Sequence, residues 1–92
     1  MELIDKILEA IFELESLNCR KENIKITTSP FTKRLLEYEI RECANHNIAK
    51  LNYHGYKIFG IEVSFNHYFN DIVIYDETRA FTDERFKIII KI

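Results

Sequence analysis

Apolar and polar positions alternate most regularly in residues 56–76. From Phe59 to Phe65 every second residue is apolar, which is the period of a strand with one buried face. After a polar and aromatic break at residues 66–71, Ile72–Tyr75 place apolar side chains on both faces, which is typical of a strand covered on both sides. The pattern predicts two strands, 56–65 and 72–75, at the middle of an antiparallel sheet.

Two amphipathic helices are predicted in the first half of the chain. From Glu2 to about Leu17, apolar residues recur at the three- and four-residue spacing of a helix with one buried side. Ser29-Pro30 predicts the start of the second helix, because serine caps free amide groups and proline suits the first helical position. This helix is expected to fade near Asn45-His46-Asn47.

Three shorter segments complete the pattern. Asn23–Thr28 and Ile48–Tyr53 are predicted strands, and His54-Gly55 is the expected turn from the second of them into strand 56–65. Phe86–Ile92 is predicted as a last strand with lysines on its outer face, and its isoleucines should be tucked into the sheet or into a partner. The order α-β-α-β-β-β-β predicts an α+β fold, with two helices on one face of a small, mainly antiparallel sheet.

Length and charge narrow the function classes. With 92 residues the chain is expected to be one domain, residues 1–92, with one core. Fifteen acidic and 13 basic residues give a net charge of −2, which disfavours general attraction to nucleic acid or anionic lipid. Without a secretory signal or a long apolar run, we expect a cytoplasmic protein, outside the membrane, with Cys19 and Cys43 reduced.

Candidate chemistry is sparse. Cys43, His46, His54 and His67 lack the spacing of a zinc site. The sequence has no Gly-x-Ser-x-Gly turn and no glycine-rich phosphate loop, and its adjacent acids fall in predicted loops. We therefore expect no catalytic residues, no metal and no cofactor, and we predict that the chain is not an enzyme. An enzyme whose site forms only at a dimer interface is left as an alternative.

The strongest binding signal is a group of aromatic residues in two predicted loops. His67, Tyr68 and Phe69 lie in one connection, and Phe81 lies in the next. Aromatic side chains supply a large contact area at low entropic cost, so these residues are predicted to form one protein-contact patch. The alternative is that Tyr68 and Phe69 fold back and cap the core.

The first helix offers two further contacts. Glu9 and Glu13 belong to its acidic side, which would suit an inhibitor that competes with nucleic acid for a basic groove. The alternative is that these acids are ordinary solvated surface. Its apolar residues also fit a short heptad seam, which predicts a homodimer through this helix. The alternative is that the same stripe covers the sheet. The seam residues are Ile4, Ile7, Ile11 and Leu14.

A nucleic-acid-binding regulator is a second functional hypothesis. It would use basic residues around the second helix, although glutamates interleaved with them give a mixed surface rather than a basic one. These basic residues are Arg20, Lys21, Lys33, Arg34 and Arg41.

Part of the chain resembles small accessory proteins of phages and prophages from AT-rich bacterial hosts. The similar features are a short strand leading into a Ser-Pro helix, the segment Gly60-Ile61-Glu62-Val63, and the segment Asn70-Asp71-Ile72-Val73-Ile74. The resemblance implies a virus-encoded protein that acts by contact with a host protein. It would inhibit a host defence, as anti-CRISPR proteins do, or a host enzyme, or serve as a small virion or assembly component.

Overall fold

The computed structural model describes residues 2–42, 49–52 and 55–92, which form two α-helices and a six-stranded sheet. This confirms the predicted α+β class, with one strand more than predicted. The elements are α1 Glu2–Ser16, β1 Ile24–Thr27, α2 Pro30–Glu42, β2 Ala49–Asn52, β3 Gly55–Ile58, β4 Ile61–Ser64, β5 Ile72–Asp76 and β6 Lys87–Ile90. Single 3₁₀ turns precede β1 and β6 at Lys21–Asn23 and Glu84–Phe86.

Helix α1 covers the sheet with its apolar stripe. The four seam residues Ile4, Ile7, Ile11 and Leu14 are all buried in the core. The helix stops where Asn18 adopts a left-handed conformation with φ of 66°. The amide of Asn18 then donates to the carbonyl of Glu15, and that of Cys19 donates to the carbonyl of Leu14. This pairing is the Schellman motif, which satisfies carbonyls at a helix end.

Helix α2 begins at the predicted Ser-Pro signal. The Ser29 hydroxyl accepts a hydrogen bond from the Thr32 amide at 3.1 Å, so Ser29 is the N-cap. On the same helix, Leu36 is buried in the core shared with α1 and the sheet. The Glu39 carboxylate accepts from the amides of Leu3 and Ile4 at 3.2 Å each, and it thereby caps the start of α1. The predicted fading at residues 45–47 lies outside the described residues.

The sheet has the strand order β2-β3-β4-β1-β5-β6. β1 lies in the interior, parallel to β4 and antiparallel to β5. The other neighbours, β2 with β3, β3 with β4, and β5 with β6, are antiparallel. The mainly antiparallel sheet is thus confirmed, with one parallel pair at its centre.

The prediction of one continuous strand over residues 56–65 is wrong. The chain turns at Phe59 and Gly60, where φ is 53° and 78°, and β3 and β4 pair across this turn. Two successive positive φ values are typical of tight hairpin turns. Phe59 lacks the freedom of glycine, but its half-buried side chain packs against the core, which offsets the backbone cost. The predicted hairpin of β2 and β3 is confirmed by their pairing, while residues 53–54 lie outside the described part.

One face of the sheet packs against the helices, and no element within residues 2–42, 49–52 and 55–92 covers the opposite face, which is called the open face below. The core takes side chains from every strand whose side chains are described, such as Ile26 of β1 and Ile74 of β5. On the open face, Val73 and Tyr75 of β5 are only half-buried. The expectation that β5 is covered on both sides is therefore wrong for the described residues, because both helices pack on one layer.

Among the described strands, β6 ends the sheet and pairs with β5 alone. The predicted tucking of the last strand into the sheet thus holds for one of its two edges.

Among the described residues, α1 and α2 both fall short of the length and apolar character that crossing a bilayer requires.

Candidate functional site

The open face carries an apolar area where β1, β5 and β6 lie side by side. Cross-strand neighbours form one row of Thr27, Val73 and Ile89, and a second row of Lys25, Tyr75 and Lys87. Neighbours in such rows have their side chains on the same face, close enough to form a continuous surface. These rows form the floor of a depression.

Two loops raise walls around this floor. Phe69 belongs to the loop after β4 and is 70% exposed, and Phe81 belongs to the loop after β5 and is 95% exposed. With the floor they line a depression of about 450 Å³, which we call the aromatic groove. The aromatic groove is lined by Thr27, His67, Phe69, Val73, Tyr75, Ala80, Phe81, Lys87 and Ile89.

The loop that carries Phe69 is anchored by buried hydroxyl groups at the start of α2. Thr32 donates to the Asn70 carbonyl at 2.5 Å, and Thr28 donates to the same carbonyl at 3.2 Å. Ser29 donates to the Asn70 side-chain oxygen at 2.7 Å. The amide of His67 donates to the Thr28 carbonyl at 3.1 Å. The N-cap of α2 therefore fixes the position of this wall.

The loop that carries Phe81 is anchored by Asp76 at the end of β5. The buried Asp76 carboxylate accepts from the Thr78 amide at 2.8 Å and from the Thr78 hydroxyl at 2.6 Å, and its backbone carbonyl accepts from the Ala80 amide at 2.9 Å. Burial favours a raised pKa of Asp76, but hydrogen bonds from Thr78 and Cys19 outweigh it and hold the pKa below its ordinary value. The carboxylate therefore stays charged and keeps its loop in place.

The polar character of the aromatic groove is slight. Among the described residues that line it, Lys87 is the one lysine or arginine, and none is an aspartate or glutamate. Lys25 lies in the same row as Lys87, on the other side of Tyr75. The amine of Lys25 is paired with the Glu62 carboxylate at 3.2 Å. A ligand of this groove would therefore offer apolar surface, and a negative charge would find its partner at Lys87.

Three of the four predicted aromatic-loop residues come together in this groove. His67 and Phe69 are neighbours with ring centroids 5.5 Å apart, and Phe81 faces them from the second loop. Tyr68 is 98% exposed and lies outside the lining. The alternative in which Tyr68 and Phe69 cap the core is wrong, because the hydroxyl network turns their loop outward.

The acidic residues that were predicted to contact a partner lie outside the aromatic groove. Glu9 and Glu13 line a separate groove between α1 and β6. The heptad seam of α1 is buried in the chain's own core, so the alternative in which the stripe covers the sheet is confirmed. A homodimer through α1 would have to use the outer side of that helix.

The predicted basic set is not gathered into one surface. Arg20 and Lys21 precede β1, whereas Lys33 and Arg34 follow it on α2, so the two groups lie at opposite ends of that strand. Lys33 is paired with a glutamate of its own helix at 4.0 Å. The side chain of Arg41 lies outside the described part of the structure.

Sequence reasoning missed the floor of the groove. Val73, Tyr75, Lys87 and Ile89 were not named as contact residues, although the two-faced apolar pattern of β5 was visible in the sequence. Their assembly depends on β6 lying next to β5, and a strand order of this kind is not encoded locally.

The sequence-based metal candidates Cys43, His46 and His54 lie outside the described residues. Within residues 2–42, 49–52 and 55–92, no group of histidine, cysteine and acidic side chains is arranged to hold a metal.

Comparisons with protein-family models, with curated proteins and with solved structures found no match to this chain.

Proposed function

We propose that this chain is a protein-binding module, without enzymatic activity of its own, that contacts its partner through the aromatic groove. The observation that carries the proposal is the exposure of Phe69 and Phe81 on loops that hydrogen bonds to the buried residues Thr32 and Asp76 hold in place. Leaving a phenylalanine in water forgoes roughly 1.5–3 kcal/mol of burial free energy. A partner that covers both rings recovers this free energy, and the anchored loops lose little entropy on binding.

The groove also defines the chemistry of the partner. An apolar floor between aromatic walls fits a large apolar side chain, as anchor pockets at protein interfaces do. Lys87 supplies a positive charge within its lining. The partner segment therefore carries a large apolar residue with a carboxylate beside it.

The resemblance to phage and prophage accessory proteins supports a biological setting for this module. In that setting the chain inhibits a host defence protein or a host enzyme in the host cytoplasm by covering part of its surface. The aromatic groove would be the inhibitory surface, since it is the apolar depression with two exposed phenylalanines at its walls.

The test compares tagged wild-type protein with a Phe69→Ala/Phe81→Ala variant and a Phe12→Ala/Phe31→Ala control in lysate of a bacterial host. Phe12 and Phe31 are 59% and 57% exposed on the two helices, outside the groove. We expect a stoichiometric protein partner that survives a high-salt wash with wild type and control. With purified partner, the groove variant should bind roughly 30- to 1,000-fold more weakly, which corresponds to about 1–2 kcal/mol per aromatic ring.

A charge-reversal pair tests the chemistry of the partner. Lys87→Glu should weaken binding, whereas Lys57→Glu on the distant strand β3 should leave it unchanged. The proposal is wrong if the groove variant binds as tightly as wild type, or if the control loses binding to the same extent. Recovery of nucleic acid alone, released by salt, would replace it with the regulator hypothesis.

A further inference from the structure

The outer edge of β6 can be oriented residue by residue. The Thr28 amide donates to the Ser64 carbonyl, so even-numbered residues of β1 turn their backbone groups to β4 and odd-numbered ones to β5. Consistently, the Glu77 amide donates to the Asn23 carbonyl. The backbone groups of β5 alternate between its two neighbours, so Ile72 and Ile74 bond to β6.

It follows that Ile88 and Ile90 of β6 bond to β5, while the amide and carbonyl of Ile89 point away from the sheet. The amide of Lys87 is occupied, because it donates to the Glu84 carbonyl of the preceding 3₁₀ turn. Since β6 is the last strand of the sheet, the outward groups of Ile89 have no strand partner among the described residues. The edge is therefore open from Ile89 onward.

A groove runs along this open edge on the helix side of the sheet. It encloses about 470 Å³ between residues 88–91 and one side of α1. The α1 side presents Lys6, Glu9, Ala10 and Glu13 in succession. This rim has opposite charges at its two ends and the small Ala10 near its middle.

We propose that a second copy of this chain pairs its own β6 antiparallel with this edge, so that two sheets join into one. In a dimer whose two-fold axis passes near Ala10 of both copies, the two α1 rims face each other, and Lys6 of each copy lies opposite Glu13 of the other. Lys6 and Glu13 are therefore complementary in charge across the axis, as the interface of a symmetric dimer requires. Glu9 lies next to Ala10, so the two Glu9 carboxylates come near the axis, where Lys91 of the same groove carries the opposite charge. The contact uses the outward backbone groups of Ile89, whose side chain lies in the floor of the aromatic groove. It does not require the partner proposed for that groove.

Charge also selects the register of the strand pair. A register centred on Ile89 sets Lys87 opposite Lys91 twice, and directly opposed like charges are destabilising. A register centred on Ile90 instead sets Ile89 opposite Lys91 and joins the outward backbone groups of both. Specific interfaces bury roughly 1,200 Å² or more, which a four-residue strand pair does not reach alone, so the α1 rims contribute to the dimer.

The first test measures mass by light scattering across the micromolar range. We expect about 22 kDa for wild type, twice the chain mass of 11.0 kDa. Ile89→Pro removes the outward amide without removing a hydrogen bond to β5, so it should give a monomer with wild-type circular dichroism. Ile89→Ala is the control, because it shortens the same side chain and keeps the amide, and it should remain a dimer. A monomeric wild type, or a dimeric Ile89→Pro variant, overturns the proposal.

The second test uses cysteine cross-linking and does not depend on the proline variant folding. In a Cys19→Ser/Cys43→Ser background, Ile90→Cys brings two thiols together across the axis, so mild oxidation should give a covalent dimer. Ile88→Cys places its thiols apart and is the control. Cross-linking of Ile88→Cys in preference to Ile90→Cys, or of neither variant, contradicts the proposed pairing.

Discussion

Removing the hydroxyl of Thr32 should perturb the aromatic groove without changing any residue that lines it. Thr32 is fully buried, and its Oγ1 donates to the Asn70 carbonyl of the Phe69 loop. Thr32→Val keeps the size of the side chain and removes the donor. The Thr28 hydroxyl lies within hydrogen-bonding distance of the carbonyls of both Asp71, at 3.1 Å, and Asn70, at 3.2 Å, so in the variant it can donate its proton to Asn70. Ser29 still donates to the Asn70 side chain. We therefore expect the loss of one buried hydrogen bond, about 0.5–1.5 kcal/mol of unfolding free energy, rather than the larger cost of an orphaned carbonyl.

Urea denaturation followed by circular dichroism measures this change, with Thr82→Val as the control. The Thr82 hydroxyl donates to the Arg79 carbonyl at an exposed position, so its removal should change stability by less than about 0.5 kcal/mol. Affinity for the partner should fall up to roughly tenfold in Thr32→Val, because part of the binding free energy must then order the loop. A Thr32→Val variant as stable as Thr82→Val would refute the anchoring argument. If Thr32→Val lowers the stability but leaves the affinity for the partner unchanged, this hydrogen bond stabilises the fold without contributing to binding.

Two further predictions concern stability alone. Burial and the hydrogen bond to Asp76 raise the pKa of Cys19 from 9.0 to about 11, so its stabilising contribution is complete below pH 9 and is lost as the pH rises to 11. The difference in unfolding free energy between wild type and Cys19→Ser, measured in reductant, should shrink by about 2–3 kcal/mol over this range, and a constant difference would contradict the burial of a protonated thiol. Gly60→Ala should cost about 1 kcal/mol in a thermal melt because φ is 78° there, whereas the nearby Lys21 amine at 3.2 Å can move aside. An unchanged melting temperature would refute the positive-φ turn.

Local signals in the sequence were sufficient where a single residue sets the backbone. Ser29-Pro30 correctly placed the start of α2, and the apolar spacing placed the end of α1 within one residue, at about Leu17 where the helix ends at Ser16. The turn at Phe59-Gly60 escaped prediction because an aromatic residue with positive φ is rare and lacks the Asn-Gly signature of such turns. What holds Phe59 there is packing against the core, which local sequence does not express.

The candidate site was predictable in its walls and not in its floor. Phe69 and Phe81 stand out in the sequence because they are aromatic residues in polar loops. Val73, Tyr75 and Ile89 are ordinary strand residues, and they become a surface only because β5 lies between β1 and β6 with both helices on the other face. Strand order depends on contacts between distant segments, so a pattern that repeats every two residues cannot specify it.

The interior position of β1 in the sheet determines when this strand can pair during synthesis of the chain. β1 joins the β2-β3-β4 meander to the β5-β6 hairpin, yet both of its neighbours follow it in the chain by more than thirty residues. During synthesis, Ile24–Thr27 must therefore leave the ribosome without a strand partner and wait until β4 and β5 emerge. The α1 segment has no sheet to cover until then, so its isoleucine stripe stays exposed. We expect nascent chains stalled before β5 to bind chaperones through that stripe, and those released after β6 to be free of them.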